Sequence, residues 1–219
     1  MTAETPYASL GPDLVLDAVA ACGMWPDGRL LALNSYENRV WQVGLDDEPP
    51  VIAKFYRPGR WSDAAIIEEY TFAQELAAAE LPVVAPLVVG GRTLLFHDGF
   101  RYALTPRRGG RAPELEAVDQ LQWLGRLIAR MHVVGARAPF AHRGRLDRET
   151  MVQQPMQAVL DSSLLPASLQ TNYRAAATRL DAAIASRLAV VGPQRQLRLH
   201  GDCHPGNVLW TDDGPHFVD

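Results

Sequence analysis

Hydrophobic positions in the first half of the chain change from helical spacing to strand spacing and back. Residues 12–22 repeat apolar side chains every three or four positions, which predicts a short amphipathic helix. Apolar runs between polar turns predict three antiparallel strands, at 30–33, 40–43 and 51–56. Ser62 is placed to cap a helix that runs to about Glu80. The predicted buried face of this helix comprises Ile66, Tyr70, Ala73, Leu76 and Ala77. Further strand-like runs lie at 83–89, 93–96 and 100–105.

Helical spacing dominates the second half. Apolar residues from 115 to 131 predict a long helix that ends near 132–135. Pro166 suits a first helical turn, and it predicts the start of a second long helix with one buried face. That face comprises Leu169, Tyr173, Ala176, Leu180, Ile184 and Leu188. Residues 139–165 show no clear period, and the chain closes with a loop at 200–207 that leads into a β-hairpin.

A break at 106–111, rich in arginine and glycine, separates the two patterns. Residues 1–105 are predicted to form an N-terminal lobe with an antiparallel sheet and a helix. Residues 106–219 are predicted to form a hinge and the first part of a mostly helical C-terminal lobe. The prediction is therefore an α+β, two-lobed fold.

Composition narrows the class of protein. The chain has 219 residues, of which 47% are hydrophobic and 21% are charged, so it can bury a substantial core. A net charge of −4 argues against a nucleic-acid partner, because such proteins need a basic surface. No apolar run approaches the roughly 18 residues that span a bilayer. With only two cysteines and no N-terminal signal, we expect a cytoplasmic protein without a membrane partner.

The last twenty residues carry the candidate chemistry. Phosphoryl transfer needs a carboxylate to align the attacking hydroxyl and oxygen ligands to hold magnesium. Asp202 and Asn207 stand five residues apart, as in the catalytic loop of protein kinases, with His-Gly-Asp in place of His-Arg-Asp. Asp219 follows at the end of the hairpin, where kinases place their principal metal-binding aspartate. The pattern predicts a kinase site.

A different chemistry would use the same stretch. His200, Asp202, His204 and His216 form a set of donor types that could bind a transition metal for hydrolysis. That hypothesis gives Lys54 and the upstream sheet no role. We therefore favour hydrogen bonds that hold the loop as the role of His200 and His204.

Lys54 lies on the third predicted strand, in Val-Ile-Ala-Lys. This is close to the Val-Ala-Ile-Lys pattern in which lysine holds the α- and β-phosphates of ATP. The usual partner of that lysine is a glutamate on the following helix, and both Glu68 and Glu69 are available.

Together these motifs resemble the superfamily of aminoglycoside phosphotransferases, choline kinases and homoserine kinases. The resemblance rests on His-Gly-Asp-x-His-x-x-Asn, the hairpin with its aspartate, and the runs at 33–40, 54–58, 60–61 and 197–204. It covers essentially the whole chain and is strongest to bacterial Ser/Thr protein kinases of the stress response. The resemblance implies a protein-kinase-like fold, with Asp202 as proton acceptor, Asn207 and Asp219 as Mg²⁺ ligands, and an ATP contact at Ser35. Its Glu-x-x-Phe-x-x-x-Leu pattern favours Glu69 as the partner of Lys54.

The resemblance gives three candidate functions. The first is an ATP-dependent Ser/Thr protein kinase that acts, as a monomer, on a protein acceptor. The second is a kinase for a small-molecule alcohol such as an aminoglycoside, choline or homoserine-like compound, which would use the same residues. The third is a nucleotide-binding module without turnover. Because the superfamily continues beyond the position of Asp219, we expect the chain to be truncated there and not to be a competent kinase alone.

The predicted nucleotide loop departs from ordinary protein kinases. Residues 34–39 contain no glycine, so the usual glycine-rich cradle is absent. Backbone N–H groups and the Ser35 hydroxyl could still hold phosphate. Residues 105–107 are predicted to form the hinge that meets the adenine ring.

Overall fold

The computed structural model describes residues 6–219. It divides into two compact units. The first comprises residues 6–142 together with Leu197–Asp219, and the second comprises Arg143–Gln196. Within residues 6–219, no helix has the length and apolar character needed to cross a membrane. The division into lobes at residue 106 falls inside the first unit and stays a prediction.

A five-stranded antiparallel sheet forms the centre of the first unit, in the order β1-β2-β3-β5-β4. The strands are β1 (Pro26–Leu33), β2 (Arg39–Leu45), β3 (Val51–Phe55), β4 (Leu95–His97) and β5 (Phe100–Pro106). The predicted strand at 83–89 is wrong, because only Val83 and Val89 make isolated bridges there. Pro82 and Pro86 have no N–H group, so this segment cannot donate a continuous ladder.

Helix α1 (Pro12–Ala20) covers one face of this sheet. Val15, Ala18 and Val19 are fully buried against alternate residues of the strands. The strand side of this core comprises Val43, Leu45, Val51, Ala53, Phe55, Phe100, Tyr102 and Leu104. Because side chains alternate along a strand, the intervening residues, including Lys54, point to the opposite face.

Helix α2 (Asp63–Ala78) packs on that opposite face. The Ser62 hydroxyl accepts a hydrogen bond from the Ala65 N–H at 3.1 Å, which confirms the predicted cap. Ile66 and Tyr70 are buried, as the helical spacing predicted. Ala77 is exposed, and Phe72 is buried in its place, so the buried face is wider than predicted.

Helix α3 (Val118–Gly135) packs with α2 and with the C-terminal hairpin. The hairpin consists of β6 (Val208–Thr211) and β7 (Gly214–Phe217). One shared core holds these elements together. It comprises Phe72, Leu76, Leu81, Leu124, Leu127, Met131, Val134, Val208 and Phe217. The helix was predicted from residue 115, but its first turn begins three residues later.

The second unit contains α4 (Gln154–Asp161), preceded by a π-helical turn at Glu149–Gln153, and α5 (Ala167–Val191). These elements include part of the segment that the sequence left unassigned. Arg148 bridges to Asp181 of α5 through two hydrogen bonds of 2.5 and 2.8 Å. The predicted buried face of α5 is wrong, because no residue of that helix is buried. An apolar stripe along a helix predicts that one face can be buried. Burial also requires a second surface that packs against that face.

Candidate active site

The loop at 200–207 is held in place by the ring of His200. Its Nδ1 accepts a hydrogen bond from the Asp202 N–H at 3.4 Å, and its Nε2 lies 3.2 Å from the Val218 carbonyl oxygen. A carbonyl only accepts and a backbone N–H only donates, so the ring carries its proton on Nε2. The ring thereby ties the loop to the residue before Asp219, and the predicted loop-holding role is confirmed.

His204 holds the other end of the same loop. Its Nδ1 accepts a hydrogen bond from the Gly206 N–H at 3.0 Å, at the start of a 3₁₀ turn over Pro205–Asn207. Its Nε2 lies 3.8 Å from Asp202 Oδ2. Across residues 6–219, no three His, Cys, Asp or Glu side chains gather into a group that could hold a metal. The hypothesis of a four-residue transition-metal site that includes His216 is therefore wrong.

Asp202 and Asn207 are in direct contact. The Asn207 Nδ2 group donates to the Asp202 carbonyl oxygen at 2.9 Å and approaches Asp202 Oδ2 at 3.4 Å. Because the amide nitrogen is engaged, the amide oxygen of Asn207 is the atom left for a cation. The Asp202 side chain is 75% exposed, so its carboxylate is accessible to an acceptor.

Lys54 and Asp219 form an ion pair between residues 165 positions apart. Asp219 follows β7 with a φ of 74°, in the left-handed region that non-glycine residues seldom adopt. Burial lowers the pKa of Lys54, but electrostatic interactions with Tyr70, Asp219 and Glu69 and the hydrogen bond to Asp219 outweigh this effect and raise the pKa above the ordinary value. The ammonium group is therefore charged at neutral pH.

The two candidate glutamates on α2 have different surroundings. Glu68 accepts hydrogen bonds from the N–H groups of Ala141 and His142, at 2.5 and 2.8 Å. Its carboxylate thus joins α2 to the turn after α3. Glu69 acts electrostatically on Lys54.

Two tyrosines beneath Lys54 belong to the site and were missed in the sequence. The Tyr56 hydroxyl donates to the Tyr70 hydroxyl, and the Tyr56 ring centre lies 5.7 Å from Lys54 Nζ. Burial raises the pKa of Tyr70 to about 12, so its hydroxyl is neutral at physiological pH. Tyr70 directly follows Glu69, the candidate partner of Lys54. This adjacency was the one sequence signal that could have placed Tyr70 near Lys54.

The glycine-free loop between β1 and β2 is fastened by Glu37. One carboxylate oxygen accepts from Arg60 Nε at 2.9 Å, and the other accepts from Trp61 Nε1 at 3.1 Å. The Tyr7 hydroxyl also donates to the Glu37 carbonyl oxygen at 3.0 Å. Ser35 lies half-buried in this loop, and within residues 6–219 no hydrogen bond joins it to Lys54.

A mostly apolar strip lies beside Lys54 on the same face of the sheet. Strand register aligns Leu33, Val40 and Lys54 in one row. It places Leu31, the polar Gln42 and Ile52 in the neighbouring row. Leu31 is 56% exposed although it is apolar. A cationic side chain next to an accessible apolar surface suits a ligand with a flat ring and an anionic tail.

The predicted hinge begins as an extension of β5. Thr105 pairs with Ile52, and the Arg107 N–H donates to the Pro50 carbonyl oxygen at 3.2 Å. The backbone donor of Arg107 is therefore engaged within the protein. Contact of residues 105–107 with an adenine ring stays a prediction.

Comparisons with known proteins agree with this geometry. A family model described as "Phosphotransferase enzyme family" matches residues 29–219. Stress response kinase A of Escherichia coli K12 is 41% identical over 213 residues, which cover 97% of this chain and 64% of that protein. The serine/threonine protein kinase RdoA of Salmonella typhimurium shows the same identity and coverage. The chain thus spans 64% of the length of these curated relatives.

Solved structures share the fold at lower identity. The amicoumacin kinase hAmiN, in complex with AMP-PNP, Ca²⁺ and Ami, has a TM-score of 0.73 at 16% identity, covering 94% of this chain and 63% of that one. A microcompartment-associated aminopropanol kinase has a TM-score of 0.68 at 21% identity, covering 94% and 68%. The predicted kinase-like α+β fold is confirmed.

Proposed function

Because the chain belongs to the phosphotransferase enzyme family, we propose that it binds ATP with a divalent cation and transfers the terminal phosphoryl group to an acceptor hydroxyl. The support is a linked pair of contacts. Lys54 forms an ion pair with Asp219, and the Asn207 side chain donates to the Asp202 carbonyl oxygen. The Val218 N–H donates to the Asn207 carbonyl oxygen at 3.0 Å, which ties the residue before Asp219 to the loop of Asp202. The side-chain oxygen atoms of Asn207 and Asp219 are of the kind that Mg²⁺ prefers.

Each residue has a distinct role in the proposal. Asp202 accepts the proton of the acceptor hydroxyl and orients that hydroxyl toward the phosphate. The amide oxygen of Asn207 and the carboxylate of Asp219 hold Mg²⁺, which neutralises phosphate charge when bound. Lys54 binds the phosphates, and Glu69 orients Lys54. Ser35 and its loop contact the triphosphate from the other side.

We propose a Ser/Thr side chain of a protein as the acceptor. The support is that curated relatives with 41% identity are named stress response kinase A and serine/threonine protein kinase RdoA. The second candidate is a small-molecule alcohol, because the similar solved structures include an aminopropanol kinase and an amicoumacin kinase. The catalytic residues serve both acceptors equally.

Radiolabelled ATP separates these candidates. The full-length protein is incubated with a generic protein acceptor, with a panel of small alcohols, or with neither. Label on Ser or Thr of the protein acceptor supports the first candidate, and label on an alcohol supports the second. Saturable nucleotide binding with no transfer in any arm would leave the third candidate, a binding module.

The proposed pairing of Lys54 with Glu69 predicts strong coupling between them. Lys54→Ala and Glu69→Ala should each weaken productive use of ATP, and the double variant should lose less than the sum. We expect a coupling free energy of about 0.5–3 kcal/mol, measured from kcat/KM. Glu68→Ala is the matched control, because its carboxylate binds the N–H groups of Ala141 and His142. Coupling of Lys54 to Glu68 instead would show that the proposed register is wrong by one residue.

The Glu37 contacts predict a rigid nucleotide loop. Glu37→Gln removes the charge that accepts from both Arg60 and Trp61. Because one such hydrogen bond contributes about 1 kcal/mol, we expect about 5-fold weaker binding of a fluorescent ATP analogue. Asp27→Asn is the control, since Asp27 makes an ion pair with Arg29 on β1. Equal weakening in both variants would contradict a specific role for Glu37.

A further inference from the structure

Arg198 has no part in the proposed chemistry, yet its surroundings are unusual. It is 5% exposed, and within residues 6–219 it is the one charged residue that is buried. Burying a guanidinium group is costly unless partners compensate it. Arg198 precedes Asp202 by four positions, so it lies just before the loop at 200–207 that carries Asp202.

The nearest partners of the Arg198 side chain lie on α2, and a longer hydrogen bond of 3.4 Å reaches the Val134 carbonyl oxygen on α3. Its two terminal nitrogens donate to the two carboxylate oxygens of Glu75, at 3.1 and 2.6 Å, which makes a bidentate pair. The guanidinium carbon lies 4.3 Å from the centre of the Phe72 ring. A planar fork with two hydrogen bonds and a stacked ring fixes orientation as well as distance. Helix α2 also carries Glu69, the proposed partner of Lys54.

The Arg198 backbone is fixed against α3. Its N–H donates to the Gly135 carbonyl oxygen at 3.1 Å. A Cβ atom at Gly135 would lie 2.1 Å from the Arg198 carbonyl oxygen, so only glycine leaves room for this crossing. The segment before the catalytic loop is therefore held to α2 by the side chain of Arg198 and to α3 mainly by its backbone.

We propose that Arg198 is a positioning residue, which sets the place of Asp202 relative to α2 through its bidentate pair with Glu75. The inference rests on the proposed phosphotransfer. In the proposed reaction, α2 orients Lys54 through Glu69. The same helix also binds Arg198, which lies just before the loop that carries Asp202. A displacement of about 1 Å between phosphate and acceptor groups is enough to lower turnover about 100-fold.

Arg198→Lys in the full-length protein tests the proposal, because lysine keeps the charge but cannot make the bidentate pair. We expect kcat to fall about 10- to 100-fold while KM for ATP changes less than about 3-fold. Arg101→Lys is the matched control. Arg101 also pairs with a carboxylate on α2, that of Asp63 at 2.7 Å, but it lies on β5. An equal fall in kcat for both variants would overturn the proposal, because it would indicate general loosening of α2.

A second test displaces the Arg198 backbone without changing any charge, and it has its own control. Gly135→Ala displaces the Arg198 carbonyl, whereas Gly125→Ala on the same helix meets no atom within 4 Å. We expect Gly135→Ala to reproduce the fall in kcat and Gly125→Ala to leave kcat unchanged. Unchanged kcat in a folded Gly135→Ala protein would overturn the proposal.

Hydrogen exchange separates this inference from the proposed function. Amides at 199–207 should exchange faster in Arg198→Lys and Gly135→Ala than in Arg101→Lys or Gly125→Ala. Hydrogen exchange tests the anchoring role of Arg198 even if the unaltered protein transfers no phosphate. Absence of transfer would refute only the proposed reaction. If Arg198→Lys does not fold, the same exchange measurement on Gly135→Ala and Glu75→Gln tests the proposal. Unchanged exchange of these amides would overturn the anchoring role of Arg198.

Discussion

In the full-length protein, replacing Asp202 by asparagine is expected to lower phosphoryl transfer by about 10²- to 10⁴-fold while nucleotide binding is retained. Loss of a general base and of hydroxyl alignment has effects of this order. The variant should fold, because the carboxylate is 75% exposed and Asn207 donates at 2.9 Å to the backbone oxygen of residue 202. Lys54 and Asp219 are unaltered, so the affinity for an ATP analogue with magnesium should change little.

Single-turnover transfer and equilibrium binding should be measured on the same preparation. Asp213→Asn is the matched control, because Asp213 lies exposed in the turn between β6 and β7. It removes an equal charge from the same segment of the chain. Near-normal transfer by Asp202→Asn would remove this carboxylate from the mechanism.

The residues proposed for phosphate chemistry were largely predictable because short-range patterns define them. Asp202 and Asn207 belong to one loop, and their contact follows from a five-residue spacing. Lys54 was predictable from its place in Val-Ile-Ala-Lys, and the alternation along β3 puts it on the face that α2 covers. The spacing of Asp219 suggested a metal ligand, but the sequence did not predict its ion pair with Lys54.

Contacts between distant segments were not predictable. Arg198 and Glu75 are separated by 123 positions, and neither residue type is usually buried. A sequence pattern would assign each of them to a solvated face. Their pairing follows from the crossing of the chain over α3 at Gly135. It depends on the packed structure of the unit.

Helix α5 illustrates the opposite error. Leu169, Leu180 and Leu188 recur at helical spacing, and this periodicity correctly predicted the helix. It also predicted burial, yet Leu180 is 57% exposed. Periodicity reports the geometry of one helix, whereas burial depends on a second surface. The extended run at 83–89 failed to form a strand for a different reason, because Pro82 and Pro86 cannot donate to a ladder.

The Arg198–Glu75 pair predicts an asymmetric effect on stability. Glu75→Ala leaves a guanidinium group buried without a counter-charge, which typically costs about 3–5 kcal/mol of unfolding free energy. Arg198→Met leaves a carboxylate whose side chain is 38% exposed, so water can solvate it. We expect this second loss to be about 1.5–3 kcal/mol, the contribution of hydrogen bonds to a charged group.

Urea unfolding at neutral pH measures both losses. Gln74→Ala, at the neighbouring position on α2, is the control and should change the unfolding free energy by less than about 0.5 kcal/mol. A larger loss for Arg198→Met than for Glu75→Ala would contradict the assignment of the uncompensated charge to Arg198.

The pH dependence of the same pair has a defined sign. The hydrogen bonds from Arg198 hold the pKa of Glu75 below its ordinary value of 4.5. A carboxylate with a lowered pKa in the folded protein contributes stability above its unfolded pKa and loses it as the pH falls through the folded value. The difference in unfolding free energy between the unaltered protein and Glu75→Gln should therefore be constant at neutral pH and should shrink below pH 4.5. A difference that persists unchanged into that acid range would show that the charge of Glu75 does not stabilise the fold through Arg198.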